Sequence, residues 1–193
     1  MPLRRIAFAV AALACAWGAE AQLSKPESVV YDASKGRYLV SNVDGRNIVS
    51  CTEATTCGSG TVFASGLTGP KGLAIVGDTL YTADQPAVKG FSLATGAKVL
   101  DVTIVGSSFL NDVASDAAGN LYISDIDTGK IHAIAPGATT ATTLASGLSR
   151  PNGLLYDQAG NRLITASYQT NGDISGVDLG TGAVTRILSL IHI

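Results

Sequence analysis

The stretch ASGLTGPKGL at residues 64–73 returns as ASGLSRPNGL at residues 145–154, 81 positions further along the chain. Shorter copies of the same unit begin at Pro26 and Leu110, so that the units start near positions 26, 70, 110 and 151. Each start is followed by an apolar run, a polar turn and a second apolar run such as Leu121–Ser124. The chain is therefore built from a unit of roughly forty residues that occurs four times.

A unit of this length has room for four short strands joined by glycine-bearing turns, and it lacks the periodicity of an amphipathic helix. These features are typical of a β-propeller blade. We predict an all-β protein, a β-propeller of four-stranded blades of which this chain contains about four. A two-sheet sandwich is the alternative, but it would explain the strands without explaining the repeat.

The composition excludes several other classes of protein. The chain has 193 residues, of which 46% are hydrophobic and 22 are glycine, which argues against disorder, collagen and a coiled coil. Thirteen Lys and Arg against fifteen Asp and Glu give a net charge of -2. Because no basic field is present, we expect no nucleic-acid partner.

The first 21 residues have the pattern of a signal peptide. Arg4 and Arg5 precede the apolar run 6–17, and Ala19-Glu20-Ala21 suggests cleavage before Gln22. The apolar run is too short to span a bilayer, so we expect no membrane span and a periplasmic or secreted protein. Lipidation of Cys15 is the minor alternative.

Two cysteines, Cys51 and Cys57, remain after the predicted cleavage. They flank five polar or small residues, and exported proteins meet oxidising conditions. We therefore predict a disulfide between them. Two free thiols are the alternative, and a metal pair is disfavoured because no second Cys or His pair lies at structural-zinc spacing.

The last six residues, 188–193, differ in character from the repeat. Their sequence, LSLIHI, matches the translation of DNA that looks like a transposon-based sequencing adapter. We expect these residues to be non-native, the partial propeller to occupy residues 22–187 and the reading frame to have been truncated during assembly. An ordinary apolar edge strand is the alternative.

One position of the repeat predicts a site. In a propeller the first strand of each blade lines the central channel, so that Glu27, Lys71, Asn111 and Asn152 should surround one mouth, with Asp112 beside them. Carboxylate and amide oxygens from separate strands suit Ca²⁺. The alternative is that these side chains only satisfy turn backbone groups. Lys71 disfavours a cation unless it points elsewhere or holds an anionic substrate.

At these residues the sequence resembles the senescence-marker-protein/gluconolactonase family. Glu27, four residues before Tyr31, is similar to the family's metal-binding glutamate at a strand entrance, although Ser28-Val29-Val30 replace the family's Gly-Pro-x. Asn152, between Pro151 and Gly153, looks like the metal-binding asparagine. Asn111-Asp112 resembles the element that faces the substrate.

The resemblance implies a calcium-dependent, six-bladed propeller that hydrolyses sugar lactones and related esters. It assigns Glu27 and Asn152 to the metal and Asn111 and Asp112 to the substrate. Lys71, whose charge disfavours a second cation, is expected to meet a substrate anion. The aspartate that serves the family as base is expected about one blade beyond Asn152, past Ile187, so the catalytic residue is not assigned.

Two functions follow as hypotheses. The first is an exported calcium-dependent lactone or ester hydrolase, incomplete in this chain, whose partner is a small molecule such as a lactone. The second is a non-catalytic propeller that presents its loops to a protein or small-molecule partner. His132 alternates with Lys130 and Ile134 in an expected strand and is interpreted as a structural residue.

Overall fold

The computed structural model describes residues 20–21, 23–54, 57–170 and 172–189, and within these ranges the regular secondary structure is almost entirely β-strand. A single 3₁₀ turn at Cys57–Ser59 is the exception in the described part, which contains no helix long and apolar enough to cross a membrane. The strands are β1 (Glu20–Ala21), β2 (Pro26–Asp32), β3 (Arg37–Asn42), β4 (Asn47–Cys51), β5 (Gly60–Ala64), β6 (Leu73–Val76), β7 (Thr79–Asp84), β8 (Ala87–Ser92), β9 (Lys98–Thr103), β10 (Leu110–Ser115), β11 (Leu121–Asp125), β12 (Lys130–Ile134), β13 (Thr142–Ala145), β14 (Pro151–Asp157), β15 (Arg162–Ser167), β16 (Asp173–Asp178) and β17 (Val184–Ser189).

The strands form four antiparallel sheets, each made of four consecutive strands. Blade 1 contains β2–β5, blade 2 β6–β9, blade 3 β10–β13 and blade 4 β14–β17, and β1 pairs with the outer edge of β5. The predicted all-β class and the four-stranded blades are thus confirmed. Where the repeat suggested a start near 70, the second sheet opens at Leu73, because residues 70–72 form the loop that leads into it.

The blades pack face to face through three apolar clusters. Leu39 of blade 1 and Leu80 of blade 2 are fully buried in the first cluster. Val88 and Ile123 belong to the second, between blades 2 and 3, and Leu163 belongs to the third, between blades 3 and 4. Burial of apolar surface between blades is the main stabilising term in this arrangement.

The outward faces of the terminal blades carry apolar side chains that no described residue covers. In blade 1, Val29 is 62% exposed and Tyr31 is 52% exposed. In blade 4, Leu155 is 62% exposed. Blades 2 and 3, by contrast, are covered by a neighbour on both faces.

A repeated acceptor closes each loop that leads into blades 2 and 3. Asp84, at the end of β7, accepts hydrogen bonds from the Thr68 and Gly69 amides at 2.8 and 2.7 Å. Asp125, at the end of β11, accepts from the Ser108 and Phe109 amides. These carboxylates fix the backbone just before the first strand of each blade. In blade 4 the equivalent Ser167 donates to the Ser149 carbonyl instead.

Cys51 and Cys57 form a disulfide, with a Cα–Cα distance of 5.0 Å, which confirms the predicted pairing. Cys51 is the last residue of β4, and Cys57 opens the short 3₁₀ turn before β5. The bond therefore closes the connection between the two outer strands of blade 1.

The two expected terminal segments are described only in part. Residues 1–19 of the expected signal peptide, with Cys15, lie outside the described residues, while Glu20 and Ala21 pair with Thr61 and Gly60. In the expected non-native tail, residues 188 and 189 continue β17 opposite β16, and residues 190–193 lie outside the described part.

Candidate ligand site at the channel mouth

One cavity of about 410 Å³ collects a side chain from the equivalent position of every blade. Glu27 comes from β2, Lys71 from the loop before β6, Asn111 from β10 and Asn152 from β14. The structure therefore brings together all four residues that the repeat assigned to one mouth. The rest of the wall is formed by Lys25, Pro26, Val43, Phe109, Ile126 and Tyr168.

Two backbone hydrogen bonds, one within blade 2 and one between blades 2 and 3, position two of these residues. The Lys71 amide donates to the Ala83 carbonyl at 2.9 Å, and the Gly72 amide donates to the Asn111 carbonyl at 2.8 Å. Because both bonds use the main chain, the Lys71 and Asn111 side chains remain available to the cavity.

Ser124 performs the corresponding task between blades 3 and 4. Its hydroxyl accepts a hydrogen bond from the Asp112 amide at 2.9 Å and donates to the Asn152 carbonyl at 2.6 Å. Ser41 accepts from the Ser28 amide at the equivalent place in blade 1. A hydroxyl on the second strand thus holds the entrance of a first strand, although the repeat alone gave Ser124 no role.

Among the described residues of the cavity wall, Asn111 alone carries a buried polar side-chain atom without a partner. The side chain is 7% exposed, and its Oδ1 has no hydrogen-bond partner among the described residues. A buried carbonyl oxygen without a partner is costly and rare in native proteins. Since Asn111 lines the cavity, a ligand or cation bound there could supply the missing interaction.

Glu27 is exposed and is the one carboxylate that the described residues contribute to the cavity wall. Although the side chain is solvent-exposed, the surrounding protein atoms partly desolvate it, and this raises its pKa. The negative charge of Asp112 raises the pKa further, whereas Lys71 lowers it. A cation bound beside Glu27 would remove this unfavourable electrostatic balance.

Lys71 provides a positive charge in the same cavity. Its Nζ lies 4.7 Å from the centre of the Phe109 ring and 3.4 Å from the Gly69 carbonyl oxygen. Partial burial lowers the pKa of this ammonium, while Glu27 and Asp84 oppose that shift. The four equivalent positions therefore combine one acid, one base and two amides, and Lys25 adds a second base to the wall.

Asp112 does not line this cavity, although the sequence grouped it with the substrate-facing residues. Its carboxylate accepts hydrogen bonds from the Val113 amide at 2.8 Å and the Leu154 amide at 2.7 Å. Burial raises its pKa, and these two amides partly offset the effect. Asp112 borders a second cavity, on the face of blade 4. The observed geometry is that of a side chain that joins blades 3 and 4.

Phe109 and Tyr168 are wall residues that the sequence reasoning missed. Phe109 stands two positions before Asn111, where the unit of blade 2 has Gly69, so the repeat gave no signal for an aromatic wall. Tyr168 follows the end of β15 and is half exposed. Tyr168 occupies the same repeat position as Val43 and Ile126, and Phe109 the same position as Lys25, and all of these residues line the cavity. The repeat therefore places both side chains at the mouth, but it does not indicate that they are aromatic.

The only histidine in the described part, His132, lies away from this cavity. It is buried, with Nε2 3.5 Å from Asp125 Oδ2, a distance too long for a good hydrogen bond. Burial lowers the pKa of His132, and Asp125 opposes that effect.

The oxygen donors of the cavity are of the chemical types that Ca²⁺ prefers. Glu27 offers carboxylate oxygens, and Asn111 and Asn152 offer amide oxygens. Ca²⁺ takes 6–8 oxygen ligands, so further oxygens would have to come from water or substrate, or from elsewhere in the protein. The described residues contain no group of three or more His, Cys, Asp or Glu that could hold a metal ion.

Neither the protein-family models nor the curated protein sequences match this chain. Solved structures do. A gluconolactonase from Xanthomonas campestris superposes with a TM-score of 0.70 at 17% identity, over 87% of this chain and 63% of that one. A chain of a nidogen/laminin complex superposes with a TM-score of 0.70 at 18% identity, over 83% of this chain and 64% of that one. Virginiamycin B lyase from Staphylococcus aureus superposes with a TM-score of 0.70 at 12% identity, over 84% of this chain and 55% of that one.

These likenesses establish the β-propeller fold. The chain spans less than two thirds of the length of each of these structures. The three neighbours differ in function, as expected for a fold that hosts many unrelated sites.

Proposed function

We propose that this chain carries the ligand-binding part of a calcium-dependent lactone or ester hydrolase of the gluconolactonase type. The observation that carries the proposal is the unpartnered Oδ1 of buried Asn111, in one cavity with Glu27 and Asn152. Three oxygen-bearing side chains from three blades converge there. The gluconolactonase among the structural neighbours is consistent with this chemistry.

The residues of the cavity divide into two roles. Glu27 and Asn152 would hold the cation, and the Asn111 carbonyl would contact either the cation or a substrate hydroxyl. When bound, Ca²⁺ supplies Lewis-acid polarisation of a substrate carbonyl. Phe109 and Ile126 form the apolar part of the wall, which limits access of water to the bound substrate.

We further propose that the protein acts in the periplasm or outside the cell. The Cys51–Cys57 disulfide supports this location, because such bonds persist in oxidising compartments. The basic and apolar pattern of residues 1–21 is the second argument.

The test of the metal site is calcium-dependent stabilisation of the full chain. Ca²⁺ at a hundredfold excess over its Kd should stabilise the protein by about 2.7 kcal/mol. This corresponds to a rise in Tm of roughly 5–10 °C. Glu27→Gln and Asn152→Ala should each reduce the rise, whereas Glu53→Gln, a matched change at an exposed carboxylate outside the cavity, should not.

Hydrolysis is measured separately with a sugar lactone in a pH-stat, with and without Ca²⁺, on the longer protein that the proposal requires to supply the catalytic base. Calcium-dependent ring opening that falls in Glu27→Gln supports the hydrolase. An unchanged Tm together with untouched lactones between pH 6 and 8 would refute it.

The second candidate is a binding module without catalysis. Lys71 favours this function, because an ammonium in the cavity opposes the binding of a second cation. Under this alternative, small molecules bind to the cavity in the presence of EDTA, and Ca²⁺ changes neither their affinity nor the Tm.

A further inference from the structure

Lys71 differs in charge from the residues at the other three equivalent channel-mouth positions, and in its surroundings from Lys25, the other lysine of the cavity wall. Three of the four equivalent channel-mouth positions carry oxygen acceptors, and the blade 2 position carries an ammonium. Lys25 also lines the cavity, but it is 75% exposed and forms a salt bridge with Asp44 at 2.9 Å.

Lys71 forms no salt bridge with any described residue, although it is partly buried. Its Nζ contacts the Gly69 carbonyl at 3.4 Å, and the Phe109 ring supports it from one side at 4.7 Å. In the same blade, Lys89 is paired with buried Asp84 at 2.6 Å. The protein therefore pairs the structural lysine of blade 2 and leaves the cavity lysine without a carboxylate partner in the described part.

Partial desolvation strengthens the interaction of an ammonium with an incoming anion. Glu27 shares the cavity and acts on Lys71 electrostatically, but the two side chains do not form a salt bridge. A cavity of about 410 Å³ is within the size range of small-molecule sites. The amides of Asn111 and Asn152 can both donate to and accept from hydroxyl groups.

We propose that Lys71 is a specificity-determining residue that selects a hydroxylated carboxylate, such as a sugar acid or a lactone with a free carboxylate, over the matching neutral sugar. The proposal rests on the proposed function for the identity of the cavity. It concerns ligand charge, however, and can be tested without metal and without turnover.

The experiment compares D-glucuronate with D-glucose, which differ in a carboxylate against a hydroxymethyl group. Binding to the full chain is measured by isothermal titration calorimetry at pH 7 in EDTA, so that no metal can bridge the anion. We expect glucuronate to bind on the order of tenfold to a hundredfold more tightly, the range of a charge-assisted hydrogen bond.

Three variants assign this preference to one side chain. Lys71→Met should abolish it, Lys71→Arg should retain most of it, and Lys35→Met, which changes an exposed lysine outside the cavity, should keep it. Lys71→Gln serves as a second charge-removing variant, and circular dichroism verifies that each variant is folded. Added salt should weaken the binding of glucuronate and leave that of glucose unchanged.

Equal affinities for the two sugars, no measurable binding of either, or a preference that persists in both Lys71→Met and Lys71→Gln would overturn the proposal. The outcome is independent of the calcium and lactone measurements. If the anion preference is lost on Lys71→Met but Ca²⁺ and lactones have no effect, only the hydrolase fails. If Ca²⁺-dependent hydrolysis occurs without an anion preference, only this inference fails.

Discussion

The same turn occurs in blades 1 and 4 with very different surroundings. Asp32 and Arg37 pair at 2.9 Å, and Asp157 and Arg162 pair at 2.8 Å, with the same spacing along the chain. In blade 1 the side chains are 1% and 18% exposed, and Arg37 donates to the Leu93 carbonyl of blade 2. In blade 4 they are 23% and 41% exposed. The repeat determines the local geometry, and the neighbouring blade determines how strongly the pair is buried.

We call a repeat position covered when a following described blade packs over it, and uncovered when none does. Gly72 is covered, and a Cβ there would lie 2.2 Å from Asp112 Oδ1. At the equivalent Gly153 the nearest atom would be 4.0 Å away. The difference predicts that equivalent substitutions have unequal effects on stability.

The largest expected effect is at the end of the second strand. Asp84→Ala leaves the amides of Thr68 and Gly69 without their acceptor and Lys89 without its partner, so it should cost about 3–5 kcal/mol of unfolding free energy. Ser167→Ala removes one exposed hydrogen bond, to Ser149, and should cost about 1 kcal/mol or less. Urea denaturation of both variants measures the contrast, and equal losses would contradict it.

The second largest effect is expected at two equivalent glycines, one in blade 2 and one in blade 4. Gly72→Ala pushes a methyl group against the Asp112 backbone, whose Cα would be 2.5 Å away, and should cost about 3 kcal/mol. Gly153→Ala has space for the methyl group and should change stability by no more than about 0.5 kcal/mol. Tm measurements on the pair decide the matter. An unchanged Tm in Gly72→Ala would contradict this, because it would show that blades 2 and 3 can move apart without loss of stability.

The third largest effect is expected at the Asp–Arg pairs in the turns of blades 1 and 4. Burial raises the pKa of Asp32, but hydrogen bonds from Ser34 and the charge of Arg37 lower it overall. Asp32→Ala should therefore cost about 2 kcal/mol near neutral pH. Asp157→Ala should cost less, because its pair is more exposed to water. Urea titrations at low and high salt test this, since only the blade 4 pair should be strongly screened.

The smallest effect is expected at His132, where blade 3 differs from blade 2 in the basic residue that faces the strand-end carboxylate. Lys89 of blade 2 lies 2.6 Å from Asp84, whereas His132 of blade 3 lies 3.5 Å from Asp125. Burial lowers the pKa of His132 from 6.5, the nearby charge of Lys130 lowers it further, and Asp125 opposes both. The unfolded chain then binds a proton more readily than the folded chain. The stability contributed by neutral His132 is complete above pH 6.5 and declines as the pH falls below it.

His132→Gln should remove that decline and leave a flatter dependence of the unfolding free energy on pH between 7 and 5. Denaturant titrations at several pH values measure it. Identical slopes for the parent and the variant would show that His132 does not contribute.

The fold could be predicted from the sequence because the repeat extends along most of the chain, with units that begin near positions 26, 70, 110 and 151. The echo of residues 64–73 at 145–154 and the glycine-bearing turns together specify the length of a blade and its number of strands. The same regularity predicts that Glu27, Lys71 and Asn152 meet at one mouth, and all three line the same cavity.

The rest of the site depends on contacts between blades, which have no local sequence pattern. Asp112 was expected beside the substrate because it follows Asn111, yet its carboxylate accepts the amide of Leu154, 42 positions away. Asn111 Oδ1 is buried without a hydrogen-bond partner in the described part, a property that the repeat does not indicate. Phe109 lies in the wall because Asp125 holds its amide.

The hydrogen bonds that hold the channel mouth involve main-chain atoms of the cavity-lining residues. The amides and carbonyls of Lys71, Asn111 and Asn152 are held by Ala83, Gly72 and Ser124, so the side chains at these positions carry little of the architecture. Evolution can therefore exchange one mouth residue at a time, blade by blade, at little risk to folding. A propeller of this kind acquires a new ligand by single substitutions, and its scaffold constrains the choice only through size and charge.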